Sequence, residues 1–307
     1  MATTTATLGV QLSTLPPATG RAGLRGVLAS EFTKLRSVRS TYWTLAALFI
    51  ISVGVAAIAG AAITSNIHNN PANKAGLDAT QSSLIAFFEF GQLVIAVLGA
   101  LVITSEYSTG MIRTSLTAMP RRSVVYTAKL IVFTTVTLIF SVVTSFITFF
   151  VGQAMMSGTG VAASLFHTVT IPQGAVMTPS GPQFSPSTYA ITPSEVLTAI
   201  IGSALFVTVV AIIAYGLGAI IRHTAGAITA AIGLMFVIPI FVQFLPSNWR
   251  FDIERFFPDA AGRVLSVTIG QNSDPHLWSA WPQFGVTLLY AAVLVGIGGY
   301  LFSKRDA

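Results

Sequence analysis

Glu89 and Gln92 stand three residues apart inside a long apolar stretch, Leu84–Ile103. On a helix that spacing puts a carboxyl and an amide on one face. An ionisable group in hydrocarbon is costly, so it must face a cavity, a partner or another helix. The chemistry open to Glu89 is a substrate contact or proton binding. The plainer alternative is a carboxylate that reaches interfacial water or stays protonated. Pro239 lies in another apolar stretch, where it removes a backbone hydrogen bond and should kink a helix; Gln243 follows four residues on. The four histidines, His68, His167, His223 and His276, are scattered and have no metal-ligand spacing. The chain contains no Walker phosphate loop, HExxH or GxSxG pattern, and no cysteine. Thiolate metal sites and cysteine nucleophiles are thereby excluded. No catalytic residue, no metal and no cofactor of its own are expected.

The elements that must position these residues are six apolar stretches: Trp43–Thr64, Leu84–Ile103, Val124–Val151, Val196–Ile221, Ala225–Leu245 and Phe284–Phe302. Each is near or above the ~20 residues a helix needs to cross a ~30 Å hydrocarbon core. In lipid the backbone must satisfy its own hydrogen bonds, so each is read as a helix. With 53% hydrophobic and 8% charged residues, the 307-residue chain belongs to the membrane class. The expected fold is an all-α polytopic membrane protein with six transmembrane helices. An inside N-terminus places Arg21, Arg25, Lys34, Arg36, Arg39, Arg113, Arg121, Arg122, Lys129, Arg222, Lys304 and Arg305 on one side. Only Lys74, Arg250, Arg255 and Arg263 fall on the other. That is the positive-inside pattern, with N and C termini cytoplasmic. The net charge of +6 therefore reports topology, and no nucleic acid partner is expected. Residues 1–20 lack a signal peptide's basic start and apolar core. They read as a Thr/Ala/Pro-rich disordered tail before a single transmembrane domain over 21–307. A bacterial inner membrane is the simplest address.

The loops carry further signals. Leu24, Leu28, Phe32, Leu35, Val38 and Tyr42 recur at spacings of three or four, predicting an N-terminal interfacial helix. Its amphipathicity is imperfect, because Glu31 and Arg39 fall near the apolar side. The alternative is a basic juxtamembrane segment that only sets orientation. The inner loop Ser105–Ser123 is longer than a connection needs. Ser108 or Thr109 could cap a short helix over Met111–Ala118, ended by Pro120. The outer loop Gly152–Ser194 carries no formal charge and is rich in Ser, Thr, Gly and Pro, so a cap and a floppy insertion are both open. Arg222-His223-Thr224 is so short that the fourth and fifth spans must form an antiparallel hairpin. The last outer loop, Pro246–Pro282, carries Trp249, Trp278 and Trp281, as an interfacial belt would. Its middle mixes aromatics and charge at helical spacing, predicting short helices that dip into the outer interface. No internal repeat is visible.

Two stretches carry a resemblance. Ala29-Ser30-Glu31-Phe32-Thr33-Lys34-Leu35-Arg36-Ser37-Val38-Arg39-Ser40-Thr41-Tyr42-Trp43-Thr44-Leu45 resembles the entry segment before the first span in permease subunits of the ABC type-2 (ABC-2) exporter family. Thr104-Ser105-Glu106-Tyr107-Ser108-Thr109-Gly110-Met111-Ile112-Arg113, continuing to Leu116, Pro120, Arg121 and Arg122 and then Ala128-Lys129, is similar to its signature between spans two and three. The second is the more specific. The resemblance implies a transmembrane permease subunit that forms a substrate pathway as a dimer, with a second copy or a related permease, in the lipid bilayer. It implies two cytoplasmic ABC ATPase subunits that bind ATP and Mg. The matching coupling residues are Glu31, Lys34, Arg36, Glu106, Gly110, Arg113, Leu116, Pro120, Arg121 and Arg122, with a short coupling helix between spans two and three. The resemblance also points to Phe88, Glu89, Gln92, Pro239 and Gln243 as pathway-lining, and to re-entrant outer helices over Asp252–Leu265. A buried polar contact of Glu106 to Lys34 or Arg113 is expected.

Two further readings predict different observations. A proton- or ion-coupled carrier using Glu89 would show pH-driven flux without ATP. A non-transporting membrane sensor or scaffold would have a partner that is not an ATPase.

Overall fold

The computed structural model describes residues 24–112, 117, 121–172, 175–178, 181–184, 188–268 and 278–304. The order is α1 (Leu24–Ser37), α2 (Arg39–Asn69), α3 (Ala79–Ser108), α4 (Arg122–Met155), β1 (Val169–Pro172), β2 (Ala175–Thr178), β3 (Gly181–Phe184) and β4 (Thr188–Ile191). It continues with α5 (Pro193–Ile221), α6 (Thr224–Ile232), α7 (Ile238–Val242), α8 (Ser247–Glu254), α9 (Pro258–Leu265) and α10 (Ala280–Lys304). Among the described residues, six helices are long and apolar enough to cross a membrane: α2, α3, α4, α5, the run Thr224–Val242, and α10. They correspond one for one to the six apolar stretches. Five run past the limits set by hydropathy alone, because a helix continues through polar residues until its backbone is capped or broken. The fifth stops at Val242, short of the expected Leu245.

The bundle is organised around α5. Its apolar window is 72% buried, against 17% for α10 at the periphery. α3, α4 and α10 all pack on it, and α2 covers α3 and α4. Small residues let the backbones approach, as helices in lipid require. A side chain at Gly99 would collide with the Ala211 carbonyl, and one at Gly216 would lie 2.8 Å from the Leu294 backbone. Buried Tyr215 donates to the Tyr126 carbonyl (3.1 Å), and Tyr126 donates to the Val295 carbonyl (3.0 Å), tying α5, α4 and α10 together.

The short connection after α5 behaves as its length demands. Arg222 takes a left-handed conformation (φ 58°) that ends α5, and His223 caps α6 by accepting from the Gly226 amide. A π-helical turn over Gly233–Val237 precedes Pro239. Proline has no amide hydrogen to offer the carbonyl four residues back, and the wider turn accommodates that loss.

The opposite end of the bundle from the two described termini corrects the all-α expectation. The segment after α4 contains two antiparallel strand pairs, β1 with β4 and β2 with β3. β-branched and aromatic residues in Val169–Ile171 and Thr188–Ile191 favour pairing locally. The buried residues Ile171 and Ile191 pack with Met156 and Val161, so the base of this segment is a packed layer. α8 and α9 occupy the expected short-helix region. The expected tail, residues 1–20, lies outside the described residues.

Candidate functional site

α1 ends at Ser37 because Val38 turns extended (φ −84°, ψ 117°), and α2 starts at once. The break turns α1 onto the start of α4. α3 ends beside both, where Gly110 supplies the positive φ (71°) that would strain any residue with a side chain. Three chain segments thus meet at the end of the bundle that carries the two described termini.

The meeting point is a buried ring of charge. Lys129 Nζ donates to Glu31 Oε2 (2.5 Å) and to Glu106 Oε1 (2.7 Å). Lys34 Nζ donates to Glu31 Oε1 (2.6 Å) and reaches Glu106 Oε1 at 3.4 Å. The side chains of Glu31, Glu106 and Lys129 are 3%, 8% and 8% exposed. Two carboxylates and two ammonium groups make the ring neutral, the condition under which buried charge is tolerated. Burial works against the charge on Lys34, but Glu31 and Glu106 outweigh it and hold its pKa above the ordinary lysine value. The ring also explains why Glu31 spoils the amphipathic pattern of α1: it faces inward because Lys129 is there. Beside the ring lies a cavity of about 190 Å³, walled by Leu98, Leu101, Val102 and Val132 and capped by the four charged residues.

Of the expected coupling residues, Glu31, Lys34 and Glu106 are brought together. Glu106 meets Lys34 as expected, but its shorter contact is to Lys129. Arg36 and Arg121 are exposed and outside the ring; Arg122 is half-buried at the start of α4. Gly110 terminates α3. Arg113, Leu116 and Pro120, with most of the expected coupling helix, lie outside the described residues. Lys129 closes the signature-like stretch but was given no coupling role by sequence reasoning. Its signal was available: a lysine inside an apolar stretch requires a partner. Arg222 was also missed; its guanidinium donates to the Leu301 carbonyl (3.2 Å) and stacks on Tyr107 (4.9 Å), next to Glu106.

The expected pathway residues differ in exposure. Phe88 is buried against Phe206 and α9; Gln92 is fully buried; Pro239 is buried, whereas Gln243 is exposed. Glu89 is half-buried and lines an open recess of about 330 Å³ with Phe90 and Phe236. A second charge cluster lies at the far end. Arg263 binds Glu254 (2.5 Å) and Asp259 (3.0 Å). Burial lifts the Asp259 pKa above the usual carboxylate value, against the opposing pull of Arg263. Gln92 faces Asp259 too loosely for a geometrically sound hydrogen bond. Asp78 caps α3 and accepts from both the amide (2.6 Å) and hydroxyl (2.9 Å) of Thr268, closing α9 down on α3.

Six long apolar helices and a charge ring binding an N-terminal helix to the ends of two of them define a multi-pass membrane protein of the cell membrane. A family model described as ABC-2 family transporter protein matches residues 27–180, half of the chain, and the protein belongs to that family. Membership implies an ABC transporter system with a partner ATPase. The matched region begins in α1 and includes all four ring residues. The comparison with curated proteins finds no match. Among the described residues no group of three or more His, Cys, Asp or Glu could hold a metal ion.

Proposed function

We propose that this chain is the transmembrane permease subunit of an ATP-driven exporter. It forms the substrate pathway with a second permease, identical or related, and is driven by two cytoplasmic ATPase subunits that carry ATP and Mg. The end bearing the charge ring faces the cytoplasm, in agreement with the positive-inside distribution. α9 is then a re-entrant element at the outer face. The observation that carries the reading is the ring itself. Glu106 stands at the start of the loop whose sequence resembles the family signature, and it is bonded through Lys129 and Lys34 to α1. A push on that loop reaches α1, α3 and α4 together, because a buried, neutral ring cannot lose one member without leaving another unpaired. ATP is handled by the partner, and coupling runs through this contact.

The test is purification of the tagged full chain from its native membrane in mild detergent. A co-purifying ATPase with vanadate-sensitive activity is expected. Arg121→Glu, an exposed change in the coupling loop, should lower its recovery without altering membrane insertion. Glu106→Gln should retain the ATPase but weaken substrate-stimulated turnover. An intact, folded chain that captures no ATPase refutes the reading.

A further inference from the structure

Every described acidic residue but one has a partner. Glu31 and Glu106 hold the lysines of the ring, Glu254 and Asp259 hold Arg263, and Asp252 holds Arg255. Asp78 and Glu195 cap helices. The exception is Glu89, which accepts no hydrogen bond and forms no ion pair among the described residues. It is half-buried, and neither of its carboxylate oxygens is sealed inside the protein. Asp259 and Arg263 act on it electrostatically from α9, but Arg263 is already bonded to Glu254 and Asp259. Negative charge is therefore in excess around Glu89, even with Asp259 protonated.

The recess that Glu89 lines has a volume of about 330 Å³, at the small end of the ~300–1,000 Å³ found for ligand pockets. Its other walls are Val55 from α2, Ile85, Ala86, Phe90 and Leu93 from α3, and Phe236 from the π-helical turn of the fifth span. Such turns are frequent at functional sites. Glu89 is the one polar side chain in that lining. Ile85 and Phe90 are 44% and 47% exposed, so the recess opens on the outside of the bundle. Glu89 lies ten residues into α3, about 15 Å along its axis and within the apolar stretch, so the opening is at hydrocarbon depth. Glu106 of the charge ring is about 25 Å further along the same helix, which makes the two sites distinct.

A carboxylate in these surroundings takes either a proton or a counter-cation. A metal ion is poorly served, because the lining offers one carboxylate and no other side-chain oxygen. An organic cation is well served: the carboxylate meets its charge, and the rings of Phe90 and Phe236 add the attraction of aromatic π-systems for cations. The aliphatic walls then cover an apolar body. A cation with such a body partitions into the bilayer and reaches the opening laterally, whereas a hydrated one does not. We infer that this recess binds a lipophilic organic monocation, a quaternary ammonium or phosphonium or a protonated amine on an apolar body, and that cations of this class are what the permease carries. The substrate role rests on the permease reading proposed above; the binding site does not.

The experiment is equilibrium binding of radiolabelled tetraphenylphosphonium to the full chain, with co-purifying partners retained, in phosphatidylcholine nanodiscs and with empty nanodiscs subtracted. Tetraphenylborate, of the same shape and opposite charge, is the control. Saturable binding of the phosphonium and none of the borate is expected. Glu89→Gln should weaken it at least about fivefold, the low end for a charge pair in contact, and Glu89→Asp should retain it. Leu93→Trp fills the recess and should abolish it, with the unfolding midpoint of each variant showing that it is folded. A chain that binds no phosphonium, or binding unchanged in folded Glu89→Gln or Leu93→Trp, overturns the inference. So does disulfide linkage between two Ile85→Cys chains that the phosphonium does not reduce, which would give the recess to a second copy. The phosphonium should also stimulate vanadate-sensitive ATPase activity; binding without stimulation of a co-purified ATPase overturns the substrate role. Binding without any ATPase leaves the site standing and the permease reading fallen, and a co-purifying ATPase on a chain that ignores the phosphonium does the reverse.

Discussion

Lys129→Met keeps the length of the side chain and removes the more buried of the two cations that bridge the carboxylates. The ring then carries two negative charges against the single positive charge of Lys34, which is the more exposed lysine at 24%. Each lost contact is short, 2.5 Å to Glu31 and 2.7 Å to Glu106. Opposite charges about 4 Å apart attract by about 4 kcal/mol at an effective dielectric of about 20, but desolvation offsets much of that. Removing one partner of a buried pair costs about 3–5 kcal/mol, because the remaining charge is stranded. That cost falls on the docking of α1, whose charged contacts to α3 and α4 run through this ring. The population with α1 undocked should therefore rise by roughly two to almost four orders of magnitude. The native chain has no cysteine, so Leu35→Cys provides a clean reporter. Leu35 packs against the main core from α1 and becomes accessible when α1 lifts. Maleimide labelling of Leu35→Cys/Lys129→Met should exceed that of Leu35→Cys by the same factor. Adding Glu31→Gln should recover much of the protection by removing a stranded charge. A labelling change of less than about threefold, well under the cost of breaking a buried pair, would refute the role given to the ring.

Other outcomes follow from single contacts. A side chain at Gly262 would run into Phe88 and lie 2.7 Å from Phe206, so Gly262→Val should lift α9 and lower the unfolding midpoint, with an overpacking cost of about 1–3 kcal/mol. Asp78→Ala removes a helix cap and two bonds to Thr268; a loss of about 1–2 kcal/mol is expected for the cap alone, and faster protease cleavage between α9 and α10 would report it. The Lys34 pKa is raised on folding, so its contribution is complete below the ordinary lysine value of 10.5 and is lost as pH rises through the folded value. Labelling of Leu35→Cys, corrected for thiolate reactivity, should be flat from neutral pH to about pH 9 and climb only above the ordinary lysine pKa. Asp259 is shifted upward, so its folded form holds a proton more tightly than the unfolded chain. Stability should rise slightly as pH falls through that range, and Asp259→Asn should flatten the profile.

The spans were legible because their cause is local. Leu84–Ile103 or Val196–Ile221 must be helical in lipid whatever surrounds them. The tight α5–α6 hairpin was equally legible, since two residues between helices leave no other route. The misfit of Glu31 with its amphipathic stripe was visible too, but its meaning was not. An inward-facing glutamate reads as a flaw until the lysine that meets it is known. The strands β1 and β4 were missed because each is only four residues long. A short polar-apolar alternation in a Pro- and Gly-rich loop gives no periodic signal long enough to separate from coil.

The amino-acid sequence by itself determined the solvent class of this protein, its six spans, the uneven distribution of its charge and the family likeness of two of its segments. The spans depend on residues within about twenty positions of one another, the length over which a bilayer imposes its constraint, and the charge distribution is a sum over the loops between them. Only the tertiary structure decided the site. Lys129 is 98 positions from Glu31 and 23 from Glu106, and Lys34 is 72 from Glu106. No local rule pairs charges across such distances. They meet because Val38 breaks the chain between α1 and α2, Gly110 ends α3 at the same level, and close packing of α3 on α5 sets the height at which α4 begins. Electrostatic neutrality then selects which charges are buried there, a condition on the assembled ring rather than on any one residue.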